Sequence, residues 1–381
     1  MSNTLTALAP VAYSAAKVVA AEPFGMLDAI NMNFDDKGVA KGDTVKVPVA
    51  PTRAASDFTP SNATSTGTDA TASTVDVTIT KSRKVSWNIT GEQLRSLENA
   101  EADTTWFAQL LQQGMRTLRN EAEADAWAAG LAGASRAYGT AGTTPFASDL
   151  SALTNVRKIL VDNGAPMADL QFVGDTAAGL NLRNLGVIQE AQKAGDNSQL
   201  RSGDLARHFG FQLRESAGVS THTAGTAASA TTDNAGYAVG STSFTLASAG
   251  TGTLLTTDVI TFAGDTNKYV VATGDSDVSN GGTLTLNNPG IRIAMSAATK
   301  AITMTSTYTG NLAFERSAIV GIMRPPLMPA NPTISQLPVS DGMGLTYLLL
   351  DIAQYGQRSL ELHLAWGFKS VNGEFSAIVL G

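Results

Sequence analysis

The stretch that does most to define the fold covers residues 90–131 and reads TGEQLRSLENAEADTTWFAQLLQQGMRTLRNEAEADAWAAGL. It opens with a capping box, in which Thr90 is the N-cap of a helix and Gln93 is its partner three residues later. A short helix through Leu97 is expected to follow. The local hydrogen bonding of these residues therefore indicates where a helical region begins.

A much longer helix is predicted next, beginning at Asp103 or Thr104 and ending near Leu131, with Gly133 as its stop. Its apolar positions recur at helical spacing: Phe107, Leu110, Leu111, Leu118, Ala122 and Trp127. At about 1.5 Å per residue the helix would be about 40 Å long. The mean helix has only about 11–12 residues, so this one is a distinctive feature of the chain.

The first 43 residues are predicted to form an arm. Pro10 can open a short helix through Val19, because proline is tolerated in the first helical turn. Pro23 and Gly25 interrupt it, and no segment nearby covers the apolar residues that follow: Met26, Leu27, Ile30, Met32 and Phe34. An arm of this kind needs a partner surface to be ordered.

Residues 44–89 are predicted to form one long hairpin. Strand alternation is present in three places, at Val45, Val47 and Val49, at Val75, Val77 and Ile79, and at Val85, Trp87 and Ile89. Pro48 marks the first strand as an edge, and a bend is expected at Lys81–Lys84. The polar residues between the first two strands offer almost nothing to bury. Since an isolated hairpin is marginal in water, its tip should project into solvent or onto another molecule.

The chain turns to alternating helices and strands after Ser148. A helix from Leu150 to Leu160 is ended by Gly164, which suits a left-handed C-terminal position. A buried strand at 170–173, a weaker helix at 176–185 and a strand at 209–213 follow.

Composition shifts between His222 and Tyr308, where Thr, Ala, Gly and Ser dominate and charge is sparse. Short alternating runs separated by turn residues predict strands at Tyr237/Val239, Phe244/Leu246, Val259–Phe262, Tyr269–Val271, Leu284/Leu286, Ile291/Ile293 and Ile302/Met304. This spacing indicates a small inserted β-sandwich or barrel. Three further alternating runs close the chain: Leu345–Leu349, Leu360–Leu364 and Phe375–Val379.

Composition excludes several classes of function. The 381 residues include no cysteine, which removes disulfide scaffolds, thiolate metal sites and cysteine nucleophiles. The net charge is −7 and no basic block occurs, so electrostatic binding to nucleic-acid phosphates is not expected. No signal peptide and no run of 18 apolar residues is present, so we expect no contact with a membrane.

The three histidines do not form a recognisable catalytic pattern. His363 lies two residues from Glu361 on a predicted strand, where a solvated histidine is expected. His208 and His222 have no acidic companion nearby in sequence. No G-x-S-x-G elbow and no phosphate-binding loop occurs. In the GDTAAG of residues 174–179, Asp175 or Thr176 is expected to act as a helix N-cap rather than to help bind an anion.

Two groups of carboxylates could suggest a metal. Glu121, Glu123 and Asp125 share the long helix, where we expect a solvated face. The other group falls in or near turns of the predicted insertion: Asp258, Asp265, Asp275 and Asp277. Aspartate is common in turns for its local hydrogen bonds, and a calcium site would need six or more converging oxygens. No metal, cofactor or catalytic residue is predicted.

Five residues in or near the hairpin are candidates for contact between copies of the chain: Arg53, Phe58, Lys81, Arg83 and Lys84. The basic ones would pair with acids on an adjacent subunit. The alternative is solubility charge on an edge hairpin.

This order of segments resembles the major capsid proteins of tailed bacteriophages, which have the HK97-like fold. The likeness is strongest to coat proteins of the short-tailed Salmonella-phage type, which carry an insertion domain. It is carried by TDVITFAGDTNKYVV (257–271) followed by GGTLTLNNP, by NLAFERSAIVGIMRPP (311–326) and by AQYGQRSLELHLAWGFKSVN (353–372). These look like insertion-domain strands, the exit strand and the closing hairpin of that family.

The resemblance implies an α+β fold with the following parts: an N-arm (1–43), an E-loop hairpin and P-domain strands (44–89), P-domain with spine helix (90–147), the first part of the A-domain (148–221), the inserted β domain (222–309), the A-domain return (310–330) and the P-domain closing sheet (331–381). It also implies hexamers and pentamers in an icosahedral shell that encloses double-stranded DNA without reading its sequence. Scaffolding and portal proteins would be partners. The protein would be located in the virion after assembly in the host cytoplasm.

Two other classes are weighed against this one. A phage tail or cell-surface adhesion protein with an immunoglobulin-like domain fits the Thr/Gly/Ser-rich strands, but it fits the long helix and the α/β part badly. An enzyme that uses one of the isolated histidines comes third. We therefore expect a structural protein without catalytic activity.

Overall fold

The structure is a computed structural model that describes residues 22–34, 38–49, 73–99, 103–189, 207–329, 334–341 and 344–381, together with Ala55, Asp57, Pro60 and Leu205. Its helices are α1 (Gly25–Ala29), α2 (Gly91–Asn99), α3 (Asp103–Gly133), α4 (Ser151–Asp162), α5 (Thr176–Asn184) and α6 (Gly186–Gln189). Short 3₁₀ turns cover Val278–Asn280, Arg316–Ala318 and Gly373–Phe375.

The strands are β1 (Asn31–Phe34), β2 (Thr44–Val49), β3 (Ser73–Thr78), β4 (Lys81–Thr90), β5 (Arg136–Gly139), β6 (Leu170–Gly174), β7 (Arg207–His208), β8 (Phe211–Glu215), β9 (Thr221–His222), β10 (Ser243–Leu246), β11 (Val259–Phe262), β12 (Lys268–Thr273), β13 (Gly282–Leu286), β14 (Ile302–Met304), β15 (Tyr308–Glu315), β16 (Ile319–Arg324), β17 (Ile334–Ser340), β18 (Thr346–Gln354), β19 (Gln357–Ser370) and β20 (Ser376–Leu380). This mixture of helices and strands confirms the predicted α+β class.

The capping box and the long helix are confirmed. The backbone N–H of Thr90 donates to the Gln93 side chain (3.1 Å), and the Gln93 N–H donates to the Thr90 hydroxyl (3.3 Å). Helix α3 has 31 residues and packs an apolar stripe into the main core. Where it crosses β4, the Trp87 ring lies 2.3 Å from the position that a Gly114 Cβ would occupy, so only glycine allows this approach.

Two sheets organise the molecule. The larger sheet has the order β10-β13-β12-β5-β20-β15-β6-β8-β7, with β9, β11 and β14 attached beside it. Helices α4 and α5 share one hydrophobic cluster on this sheet, and α3 lies in a different cluster with other side chains of the same strands. The smaller sheet has the order β1-β16-β19-β18-β17, and β4 also pairs with β19.

The predicted elements between α3 and the insertion are largely confirmed. Helix α4 ends before Gly164, which has a φ of +79°, as the left-handed position requires. Strand β6 and helix α5 occur where the sequence predicts them. Strand β8 begins at Phe211 rather than at Phe209, because Phe209 lies in the turn between β7 and β8 with a φ of +49°. Asp175 is the N-cap of α5, because its carboxylate accepts a hydrogen bond from the Ala178 N–H (2.8 Å).

The expectation that the N-terminal apolar residues lack cover in their own chain is wrong. Met26, Leu27 and Ile30 are buried in the main cluster together with residues of α3. Strand β1 pairs in parallel with β16, in the register Asn31 to Val320. Their cover comes from segments distant in sequence, which local patterns cannot show. The helix predicted for Pro10–Val19 lies outside the described residues.

The hairpin is shorter than predicted. Strands β2 and β3 pair from Thr44–Thr78 to Val49–Ser73, and Pro48 lies on an edge as expected. The bend expected at Lys81–Lys84 is wrong, because these residues begin β4, which pairs along its whole length with β19. Trp87 and its neighbours thus belong to the smaller sheet and not to the hairpin.

The region from His222 to Tyr308 extends the larger sheet. Five of its predicted strands are present, whereas Tyr237/Val239 and Ile291/Ile293 form none. Tyr237 makes only an isolated bridge, to Met295. The region has its own buried cluster, yet β12 pairs directly with β5. Its status as a separate inserted domain stays a prediction, as do the other boundaries.

The closing strands divide between the two sheets. Strands β18 and β19 lie in the smaller sheet. Strand β20 lies in the larger sheet between β5 and β15. Strand β16 lies in the smaller sheet, where it pairs with β19.

Candidate functional site

The basic residues at the start of β4 are paired within the chain. Lys81 Nζ lies 2.9 Å from Asp125 and 3.3 Å from Glu121, and Arg83 Nε lies 2.9 Å from Glu121. Asp125 also accepts a hydrogen bond from the Trp366 indole (2.7 Å). Hydrogen bonding to Asp125 raises the pKa of Lys81. These contacts attach β4 to α3 and show that Glu121 and Asp125 do not form a purely solvated face.

A second group of ionisable side chains lies across β4 and β19. Lys84 Nζ is 2.8 Å from Glu361, and His363 Nε2 is 2.9 Å from the other oxygen of the same carboxylate. Burial would raise the pKa of Glu361, but the hydrogen bonds from Lys84 and His363 outweigh it and lower that pKa. His363 is buried, so the prediction of a solvated histidine is wrong.

Contact between copies through Lys81, Arg83 and Lys84 stays a prediction. Each of them already has an acidic partner in its own chain. Arg53 and Phe58 lie outside the described residues.

Glu123 is the largest departure from the expected solvated face. Only 1% of the residue is exposed. Its carboxylate accepts hydrogen bonds from the backbone N–H groups of Met26 (2.6 Å) and Leu27 (2.9 Å) and from the Ser216 hydroxyl (2.6 Å). Burial raises the pKa of Glu123, while these bonds and the charge of Arg119 oppose the rise. Glu123 therefore holds the N-terminal segment against α3.

Two further contacts hold the N-terminal segment on α3. Both oxygens of Glu22 accept hydrogen bonds from Arg116 Nε, at 2.7 and 2.8 Å. This bonding lowers the pKa of Glu22 to about 2. The Arg119 guanidinium lies 4.0 Å from the centre of the Phe24 ring, in a cation–π contact.

His222 does have an acidic partner, contrary to expectation. Its Nε2 lies 2.8 Å from the buried carboxylate of Asp258, and its Nδ1 lies 2.9 Å from the Thr257 hydroxyl. A hydroxyl, an imidazole and a carboxylate in this order resemble a nucleophilic site. Thr257 is buried, however, and the imidazole packs on Tyr308. We assign the group a structural role where β9, β11 and β15 meet. The sequence did not reveal this pairing, because His222 and Asp258 are 36 positions apart.

The hairpin presents a partly covered apolar side. Val77 is buried in a small cluster with Ile79, Val320 and Ile322, but Val45 and Val47 on β2 are only half-buried. Strand β2 pairs with β3 and with no other described strand. The outer half of the hairpin therefore lacks a complete covering layer among the described residues.

An aromatic groove of about 450 Å³ lies between β4, α2 and α3. Trp87, Ile89, Trp106 and Leu110 provide its apolar lining, and Gln93 is at its edge. The arrangement suits an apolar contact better than a chemical reaction, because none of the described residues that line the groove is charged.

No group of three or more possible metal ligands occurs within the described parts of the chain. The four turn aspartates do not converge: Asp258 binds His222, Asp265 accepts from Tyr269, and Asp275 and Asp277 accept from nearby residues of their own turn. Among the described helices, none is long and apolar enough to span a bilayer.

No protein-family profile and no curated protein matches the chain. Solved structures similar to it include the capsid of the cyanophage P-SCSP1u, with 10% identity, coverage of 96% of this chain and 90% of that chain, and a TM-score of 0.48. The capsid of a native GTA particle has 11% identity, coverage of 96% and 92%, and a TM-score of 0.47. The mature capsid of bacteriophage PhiM1 has 9% identity, coverage of 92% and 85%, and a TM-score of 0.46. All three of these chains come from capsid structures.

Proposed function

We propose that this chain is the subunit of a bacteriophage capsid shell with an HK97-like fold. Copies would assemble as hexamers and pentamers into an icosahedral shell. Support comes from the order of its elements: a two-stranded hairpin, a capped short helix, a 31-residue helix, an α/β layer and closing strands. The phrases at 257–271, 311–326 and 353–372 support the same family resemblance.

The hairpin is the observation that carries the proposal. The strands are described up to Val49 and Ser73, and the sequence that joins them, residues 50–72, is almost entirely polar or small. A two-stranded ribbon is marginal in water unless something packs against it. Neighbouring copies would complete the cover of Val45 and Val47, and closed symmetry would turn such contacts into a shell.

Many modest contacts suffice for such a shell. Stable assemblies of this sort bury about 2,000 Å² or more per interface, but ordering costs remove much of the gross gain. Contacts that are individually weak allow misplaced subunits to dissociate before the shell closes.

The net charge of the chain favours a shell that encloses DNA over a protein that binds DNA tightly. The chain carries 33 acidic and 26 basic side chains, and several basic ones are already paired with its own acids. Counterion release would therefore contribute little to DNA binding. Scaffolding and portal proteins, implied by the resemblance, belong to this proposal, as does a structural role without catalysis.

The direct test is the size of the expressed protein, alone and with its phage's scaffolding protein. Light scattering and negative-stain images should show closed particles of megadalton mass. A monomer or small oligomer under both conditions would refute the proposal and would favour the adhesion-protein alternative.

The hairpin provides a sharper test. Val49 and Ser73 are register partners, so replacing residues 50–72 by Asn-Gly should close the ribbon with a two-residue turn. We expect the subunit to keep its unfolding midpoint and to lose particle formation. A control with residues 50–72 in scrambled order separates the effect of length from that of sequence. Normal particles from the shortened variant would contradict the role of the hairpin.

A further inference from the structure

A surface around α4 combines exposed apolar side chains with arginines, and we call it the basic surface. It consists of Arg157, Val161, Arg207, Phe209 and Arg292. Val161 is 53% exposed and Phe209 is 47% exposed, so this surface offers apolar area to a partner. Apolar side chains ringed by arginine are typical of protein–protein interfaces.

The three arginines of the basic surface have no carboxylate partner within ion-pair distance in the described part of the chain. Each instead donates to main-chain carbonyl oxygens: Arg157 to Phe209, Arg207 to Ala168 and Gly210, and Arg292 to Asp162. Arg157 and Arg207 both lie at Gly210, and Arg292 lies at the end of α4, where its charge acts on the Asp162 carboxylate. The side chains of Arg157 and Arg207 are fixed in place while their charge stays available to a partner.

A second surface has the opposite charge, and we call it the acidic surface. It consists of Leu255, which is 43% exposed, Asp275 and Asp277. Asp275 accepts a hydrogen bond from the Asp277 N–H (2.8 Å), and Asp277 accepts from the Ser279 N–H (3.0 Å) and hydroxyl (2.6 Å). No lysine or arginine among the described residues forms an ion pair with either carboxylate.

Arg292 of the basic surface and Asp275 of the acidic surface lie at opposite ends of β12. Near its start, Tyr269 pairs with Arg136, whose guanidinium donates to the Ile159 carbonyl of α4 (3.1 Å). The Tyr269 hydroxyl also accepts from the Arg292 N–H. The other end of β12 leads directly to Asp275. Six residues of strand span about 20 Å, so one chain cannot bring these charges together.

We propose that the basic surface of one copy of this chain binds the acidic surface of the next copy. Because two different surfaces meet, the contact is heterologous, and repetition of it generates a ring when the rotation between copies closes. Phe209, Val161 and Leu255 supply the apolar centre, while the complementary charges set the register and exclude like surfaces. This inference rests on the proposed function, since it names one surface by which shell subunits recognise each other.

Cross-linking tests the contact directly, because the chain has no cysteine of its own. A variant with Phe209→Cys and Leu255→Cys is assembled and treated with a short bismaleimide. We expect a ladder of cross-linked subunits on a denaturing gel. Each single variant should give no ladder. The matched control pairs Phe209→Cys with Leu327→Cys, another strongly exposed position, and should give no ladder either.

Charge reversal tests the recognition. Arg157→Glu with Arg292→Glu should lower particle yield at least about tenfold, as expected for close charge pairs across an interface. Asp275→Lys with Asp277→Lys should do the same. The four substitutions together should restore most of the yield. Thermal unfolding of each unassembled subunit identifies any variant that fails to fold. If a charge-reversed variant does not fold, the cross-linking result decides whether the proposed contact exists.

The outcomes separate this inference from the proposed function. Particles from the cysteine variant without a Phe209–Leu255 ladder would overturn the contact and leave the shell proposal standing. The same holds if both charge-reversed variants assemble normally. If the unchanged chain forms no particles with or without its scaffold, the proposed function fails, and this inference fails with it.

Discussion

Replacing Glu123 tests how the N-terminal segment is held on α3. In Glu123→Ala, the N–H groups of Met26 and Leu27 and the hydroxyl of Ser216 lose their acceptor. All of these donors lie in a buried site. The buried Arg119 also loses the attraction of the Glu123 charge. We therefore expect that removal of this buried side chain greatly lowers the free energy of unfolding.

The magnitude follows from the contacts. Each buried donor left without an acceptor costs about 1–3 kcal/mol, so three of them cost roughly 3–9 kcal/mol in total. Removing a buried carboxylate returns several kcal/mol of desolvation energy. The net loss in the free energy of unfolding at neutral pH should be about 2–4 kcal/mol, a large share of the usual 5–15 kcal/mol.

Urea unfolding of the unassembled subunit measures this loss from the shift in midpoint. Ser216→Ala, which removes one donor to the carboxylate, is the matched control and should cost less. A Glu123→Ala midpoint equal to that of the unchanged chain would refute the account of the site.

The pH dependence of the free energy of unfolding provides a second test of the role of Glu123. Because burial raises the pKa of Glu123 in the folded chain, this group binds a proton more tightly when folded. The pH-dependent part of its contribution to stability is therefore fully present below the unfolded pKa and is lost as pH rises through the folded pKa. Glu123→Gln should remove this slope from the stability curve.

Two further predictions concern α3. Leu111 is fully buried in the main cluster, so Leu111→Ala should lower the free energy of unfolding by about 2–5 kcal/mol in urea titration; an unchanged midpoint would show that the stripe is not packed. Hydrogen bonding to Arg116 lowers the pKa of Glu22 to about 2, so this pair stabilises the fold above the unfolded pKa and is lost as pH falls through about 2. Glu22→Gln should be less stable than the unchanged chain at pH 7 and equal to it near pH 2; equal stability at both pH values would contradict the pairing.

Local features were predictable from the sequence because their causes are local. The capping box needs only Thr90 and Gln93, which are three residues apart. Gly164 and Asp175 likewise act on the helix ends beside them. The long stripe of α3 follows from a period of 3.6 residues repeated over eight turns or so.

Partners distant in sequence were not predictable. Glu123 appears as one of three acids on a polar face, and only the fold brings Met26 and Ser216 to it. The pairing of His222 with Asp258 spans 36 positions. One signal was nevertheless present in the sequence. The apolar residues at 26–30 had to be buried somewhere, and the structure buries them against α3.

The position of β20 has a consequence for biosynthesis. Residues 376–380 lie between β5, which begins at Arg136, and β15, so the centre of the larger sheet contains the last of its strands to leave the ribosome. Until then β5 and β15 each have an open hydrogen-bonding edge, which can recruit strands from other nascent chains. Translation itself thereby delays the moment at which a subunit is ready to join others, and chaperones have most to protect in that interval.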